Sequence, residues 1–218
     1  MSRPSIPPQE LASTEASVVF VIDDDASVRD ALRNLFRSVG FRVEVFGSAA
    51  EFLQSKRPDV ASCLILDIRL PRLSGLDFQG DLAKAGIHIP IIFMTGHGDI
   101  PMSVKAMKAG AVDFLTKPFR DQDMLDAATT AIERDRKRRG DAKILSDLQA
   151  LFATLTPRER DVLVLVAAGR MNKQIAAEIG VAEITVKIHR GHIMRKMGAK
   201  SLADLVRMVE TLGIRRTE

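Results

Sequence analysis

The chain of 218 residues contains no tryptophan, no tyrosine and a single cysteine. Its aromatic residues are ten phenylalanines, none with a polar tip to donate a hydrogen bond. A lone thiol excludes an internal disulfide. Cys63 lies in the apolar run CLILDI, which fits a core thiol in a reducing compartment rather than a reactive one. No apolar run approaches the ~20 residues that span a bilayer, and the opening MSRPSIPPQELASTEAS has no hydrophobic core of a signal peptide. The reading is a cytoplasmic protein with no membrane partner and a Pro/Ser-rich, mobile tail over residues 1–16.

What is present is apolar content of 46%, enough for real cores, in a length that suits two small domains. Charge divides the chain the same way. Residues 1–133 carry 14 Lys/Arg against 18 Asp/Glu, net −4, whereas residues 134–218 carry 18 against 10, net +8. Only the second part is suited to a polyanion.

From Val18 to Phe119, short apolar runs alternate with segments of helical period, the pattern of a doubly wound α/β sheet. VVFVI, RVEVF, CLILDI, PIIFMTG and VDFLTKP are the five strands. Ser48 and Glu51 form a capping box for the second helix, the third helix starts near Leu76, and Gly40 and Gly110 stop two others. Five strands and five helices give a flavodoxin-like count, for which ligands sit at the carboxyl ends of the strands. Asp23 and Asp24 end strand one, Asp67 ends strand three, Thr95 strand four and Lys117 strand five. A lone DDD, Asp23 to Asp25, reads as a solvated turn. Four strand ends in one crevice read differently: three carboxylates, a hydroxyl and an ammonium suit a hard cation such as Mg2+ and an incoming phosphoryl group.

Beyond Asp126 the charged, helix-friendly segment AATTAIERDRKRRGDAKILSDLQALFATL is interrupted only by Gly140, and Leu145, Leu148, Phe152 and Leu155 form a short heptad-like stripe that packs on a neighbour and assists dimerisation. From Thr156 the pattern is all helical. Thr156, Pro157 and Glu159 make a capping box with Pro at the first helical position, Asn172 caps the next helix, Gly180 makes a tight turn, and a helix from about Ala182 to Met197 ends at Gly198 before Ser201 caps the last. Helix, Gly turn, helix is the helix-turn-helix arrangement. Val186, His189, Ile193 and Met197 share the inner face of the third helix. Ile184, Lys187, Ile188, Gly191 and Arg195 lie on or near the other, a mixture suited to a DNA major groove.

Residues Val18 to Ile132, with DD, LDIRLP, Gly75, MTG and TKPF in register, resemble the receiver domain of two-component response regulators. The resemblance implies that Asp67 is the phospho-acceptor, and that Asp24, Asp67 and the backbone carbonyl of Arg69 hold Mg2+ with Asp23 acting mainly through water. It also implies that Thr95 and Lys117 bind the phosphoryl group, that Phe114 stands at the switch position and that Pro118 follows a cis peptide. Asp25 reads as a solvated helix start, and Arg69 and His97 flank the mouth. Haloacid-dehalogenase-type phosphatases share the fold and the acids but need a second Asp where this chain has Arg69, so a dedicated enzyme is not expected, only slow self-dephosphorylation.

Leu155 to Gly213 resembles the LuxR-type helix-turn-helix. That implies base contacts from Lys187, Ile188 and Gly191, phosphate contacts from Thr185, Arg190, His192 and Lys196, and a satisfied structural role for His189. Ala182 stands where many relatives cap the recognition helix with Ser. The layout is that of the FixJ/NarL group, with GHGDIPMSVKAMKAGAVDF leaning to FixJ and AEITVK to regulators of aromatic-hydrocarbon breakdown. The expected domains are the receiver at 17–132, a charged helical linker at 133–153 and the DNA-binding domain at 154–218. The expected partners are a sensor histidine kinase, promoter DNA, RNA polymerase and a second copy after phosphorylation. The alternative is a phosphorylation-controlled protein-interaction module.

Overall fold

The structure, a computed structural model, describes residues 17–71, 73–96 and 100–214. The N-terminal tail and His97 lie outside the described residues. The chain divides into two compact units between Arg139 and Gly140.

In the first unit, β1 (Val18–Ile22), β2 (Arg42–Phe46) and β3 (Ser62–Asp67) are followed by a two-residue hairpin, β4 (Arg69–Leu70) with β5 (Leu73–Ser74), and then by β6 (Ile91–Thr95) and β7 (Asp113–Thr116). The main sheet is parallel throughout, in the order β2-β1-β3-β6-β7, with Val18 opposite both Arg42 and Ser62, and Leu64 opposite Ile91. Buried on both faces, β1, β3 and β6 read as continuous apolar runs, as parallel strands do. Phe20, Phe52, Phe78 and Phe93 fill one core layer with Leu64 and Leu66; Val19, Val21, Phe36, Cys63, Ile65 and Met94 fill the other. Cys63 is buried, and burial pushes its thiol far above the ordinary range, so it is inert.

Helices α1 (Ala26–Ser38), α2 (Ala49–Gln54), α3 (Gly75–Lys84) and α4 (Ile100–Lys108) connect the strands. Asp25 caps α1, its carboxylate accepting from the Ser27 N–H at 2.8 Å, so the third acid of the run is a cap rather than idle charge. The capping box at α2 is offset from its expected geometry: Ser48 accepts from Glu51 N–H, but Glu51 reaches back to Gly47 N–H instead of Ser48.

Helix α5 runs without a break from Asp121 to Ala153. Gly140 therefore does not interrupt it, since a helical glycine costs only about 1 kcal/mol against alanine. Nor is the cationic run ERDRKRR free. Asp135, fully buried, accepts from Ser62 N–H at 3.0 Å and from Arg138 and Arg139, while Arg139 also pairs with Asp59 and Arg136 bonds Ser17. These residues of the charged segment fasten α5 to the starts of β1 and β3. Along the apolar stripe, Leu148 and Leu155 are buried and Leu145 and Phe152 half-buried.

In the second unit, α6 (Pro157–Ala167), α7 (Asn172–Ile179), α8 (Glu183–Met197) and α9 (Leu202–Thr211) enclose Leu155, Val162, Leu163, Ile175, Val186, Ile193, Met197 and Leu205. The Thr156–Glu159 capping box is present in full, and Ser201 caps α9. At the tight turn between α7 and α8, Gly180 has φ +70, a conformation that strains any residue with a Cβ. Asn172 is not the cap of α7. The cap position is Met171, whose N–H donates to Gln174 Oε1 at 2.9 Å, and Asn172 is the first helical residue.

Candidate functional site

The strand order reverses beside β1, so the carboxyl ends of β1 and β3 open a crevice between them. Asp23, Asp24 and Asp67 stand on its two sides, and one carboxylate oxygen from each lies within 4.8 Å of the other two. Asp23 is 0% exposed, Asp67 is buried and Asp24 is exposed. Lys117, just beyond β7, bridges the two buried acids, with Nζ 2.6 Å from Asp23 Oδ2 and 2.7 Å from Asp67 Oδ2. Its peptide to Pro118 is cis, and its N–H donates to the Thr95 carbonyl at 2.7 Å, which ties the end of β7 to the end of β6.

Burial pushes the Asp23 carboxyl above its ordinary range, against the pull of the Lys117 ammonium. Burial would also lower Lys117, but its bonds to Asp23 and Asp67 outweigh that and raise it. One cation thus compensates two acids, while a third acid faces solvent nearby. Three hard oxygen donors within this span fit a small divalent cation.

Two backbone features hold the acids in place. Arg69 N–H donates to Asp67 Oδ1 at 2.9 Å, and Arg69 pairs with Ser74 in the β4–β5 hairpin. Gly75 follows so closely that a Cβ there would lie 2.6 Å from the Asp67 carbonyl oxygen and 3.0 Å from Ile68 Cα, so only glycine fits. Across the crevice, Arg29 Nη1 donates to the carbonyls of Asp23 at 2.7 Å and Asp24 at 2.9 Å, fixing the loop that carries both acids. Sequence reasoning missed Arg29; its place one turn into α1 was the available signal. Thr95 is buried at the end of β6, and Phe114 is half-buried against the Phe93 layer, opposite Phe93 itself in the strand register.

On the second unit, α8 presents Ile184, Lys187, Ile188, Gly191 and Arg195 to solvent while Val186, Ile193 and Met197 are buried. Ala182 occupies the cap position with no side-chain hydrogen bond. Thr185 is half-buried near the helix start. Arg190 Nη1 donates to Asn172 Oδ1 at 2.7 Å, so the residue expected to cap α7 instead links α7 to α8. A Cβ at Gly191 would meet no atom within 4 Å, so nothing inside the described fold requires glycine there.

Three residues of α8 have surroundings that helical spacing does not disclose. Lys196, expected at phosphate, has its ammonium bonded to Glu159 Oε2 at 2.6 Å and to the Thr154 carbonyl at 3.3 Å. His192 Nδ1 lies 3.6 Å from the other oxygen of Glu159. His189 faces the core as expected, yet it is not satisfied: its Nδ1 is buried with no hydrogen-bond partner among the described residues, because the apolar face it joins offers none. Glu159 itself, 3% exposed, was read only as a cap; it is also the anchor for Lys196.

Residues 19–129 match the response regulator receiver domain, and residues 153–209 match the luxR family of bacterial regulatory proteins. The sequence is 67% identical to nodulation protein W of Bradyrhizobium diazoefficiens over 203 residues, 93% of this chain and 89% of that protein. It is 50% identical to response regulator protein TmoT of Ectopseudomonas mendocina over 198 residues, 91% of this chain and 90% of the relative. Among solved structures, response regulator StyR aligns with a TM-score of 0.80 at 51% identity, over 89% of this chain and 98% of that one.

Proposed function

The chain belongs to the response regulators that join a receiver domain to a LuxR-type DNA-binding domain, and from that premise we propose that transfer of a phosphoryl group to Asp67 from a partner sensor histidine kinase controls its binding to promoter DNA. The observation that carries the reading is the double ion pair of Lys117 with Asp23 and Asp67 at converging strand ends. Such a site holds a nucleophilic carboxylate ready while its cation can move to an incoming phosphoryl oxygen.

Asp67 attacks phosphorus, the bond to the donor breaks, and an acyl phosphate results. Asp24, Asp67 and the Arg69 carbonyl would hold Mg2+, with Asp23 acting mainly through water. The ion, when bound, neutralises charge on the phosphoryl oxygens. Lys117 pairs with one of those oxygens and the Thr95 hydroxyl donates to another. Phe114 has no hydroxyl, so its part in the switch is one of packing. The acyl phosphate hydrolyses slowly without a second carboxylate at position 69. The protein acts in the cytoplasm, as a homodimer once phosphorylated, and RNA polymerase is a further partner. The receiver spans 17–132, the linker 133–153 and the DNA-binding domain 154–218.

On α8, Lys187, Ile188 and Gly191 face bases, with Gly191 letting the backbone come close. Thr185, Arg190 and His192 lie toward phosphates; Lys196 joins them only if it leaves Glu159. The luxR-family match over residues 153–209 favours DNA over a protein as the ligand of this unit. Incubation with Mg2+ and acetyl phosphate is expected to add one phosphoryl group by mass, and Asp67→Asn to abolish it. Persistent acyl phosphate on that variant would assign the nucleophile elsewhere.

A further inference from the structure

The apolar residues of α8 fall into two opposed sets. Val186, Ile193 and Met197 are buried in the core of the helical unit, whereas Ile184 and Ile188 are 62% and 52% exposed. At about 100° per residue, Ile184 and Ile188 stand one turn apart on a single stripe, and that stripe lies about 180° from Ile193. Gly191 continues the stripe, Arg195 ends it, and exposed Lys187 flanks it. A single isoleucine in water needs no explanation. Two one turn apart on the solvent-facing stripe, in the half of a helix-turn-helix recognition helix that meets base edges, do.

We propose that Ile184 and Ile188 read the C5-methyl groups of thymines in the major groove, making Ile184 a specificity-determining residue in addition to the contacts assigned above. This rests on the DNA-binding reading and deepens it. The thymine methyl is the one alkyl group that the base pairs present in the major groove, and the N7, O6, O4 and exocyclic amino groups of that edge are hydrogen-bond acceptors or donors that an isoleucine would leave unpaired. Both side chains are β-branched, so each enters the groove in a strongly preferred rotamer and loses little freedom on contact. The glycine at the next position of the stripe leaves room for close approach, and the lysine beside it supplies a charged contact to a neighbouring guanine or phosphate. Each half-site therefore carries thymines at two nearby steps, flanking the base pair that Lys187 approaches.

The test uses the full chain treated with Mg2+ and acetyl phosphate. A duplex is first selected from a random pool, and then each thymine of a half-site is replaced singly by deoxyuridine, which deletes the methyl and leaves the hydrogen-bonding edge intact. Two replacements are expected to weaken binding about fourfold each, the factor for removing one buried carbon group. Ile184→Ala is expected to abolish sensitivity at one of them and Ile188→Ala at the other. Both positions are exposed and alanine favours helix, so the variants keep the fold, as circular dichroism will check. If a sequence is selected but no deoxyuridine replacement weakens binding, or the alanine variants keep the full sensitivity of the parent, the methyl-reading proposal is overturned while DNA recognition stands. If no sequence is enriched, the DNA-binding reading falls and takes the proposal with it.

Discussion

Lys196→Ala is expected to destabilise the helical unit without altering how strongly DNA binding depends on salt. Glu159 is buried at the start of α6, where it accepts from the Thr156 N–H at 2.8 Å and from the Lys196 ammonium at 2.6 Å. Burial opposes its ionisation, but those two bonds outweigh burial and hold the carboxyl at about 2, against an ordinary 4.5. That gap corresponds to about 3 kcal/mol in favour of the ionised form. The Lys196 side chain is 30% exposed, so solvent screening reduces the share lost with the ammonium to about 1.5–2.5 kcal/mol. Because the folded carboxyl titrates below the unfolded one, its contribution is complete above about pH 5 and disappears as pH falls toward 2. The stability difference between the parent and Glu159→Gln is therefore constant from pH 7 to 5 and shrinks below that. Hydrogen exchange of α6 and α8 amides in the intact chain reads both effects separately from the receiver. A Lys196→Ala protein with parental protection on these helices, or a parent-to-Gln difference that does not change between pH 6 and 3, would refute the reasoning. A shallower salt dependence of duplex binding in Lys196→Ala would instead place the ammonium on phosphate.

Gly75→Ala is expected to cost the receiver about 1–3 kcal/mol, since the new methyl meets backbone rather than a flexible side chain; urea unfolding measures the loss, and slower acetyl phosphate labelling of Asp67 accompanies it. Lys187→Ala is expected to weaken binding to a selected duplex by about 1–3 kcal/mol with little change on random duplex, whereas Arg190→Ala weakens both alike. Equal losses on both duplexes for both variants would remove the base-reading role from Lys187.

The centre of the parallel sheet was legible because β1, β3 and β6 are unbroken apolar runs that end on or beside Asp23, Asp67 and Thr95, residues of the candidate site; Lys117 follows the half-buried β7. The two-residue β4–β5 hairpin was not, because no periodicity survives in so short an element. Arg29 escaped notice because it acts through two carbonyls, which no side-chain motif encodes. The tethering of the basic run after Ile132 was not legible for a related reason. Asp135 is one acid among many cations in sequence, and only folding shows that it is buried beneath Ser62 and that its neighbours close on it. On α8 the inner and outer faces followed from helical spacing, but the partners of Lys196 and Arg190 depend on α6 and α7, which approach only in three dimensions. Among the described residues no helix is long and apolar enough to cross a membrane.

The central claim is that the state of Asp67 governs DNA binding, and operator affinity of the full chain tests it most directly. Three forms are compared on one selected duplex at fixed salt: phosphorylated protein, unphosphorylated protein, and Asp67→Asn treated with acetyl phosphate. Tighter binding by the phosphorylated form alone, with the asparagine variant matching the unphosphorylated protein, is the predicted result. Equal affinity for all three would contradict the account and leave the receiver as a constitutive scaffold.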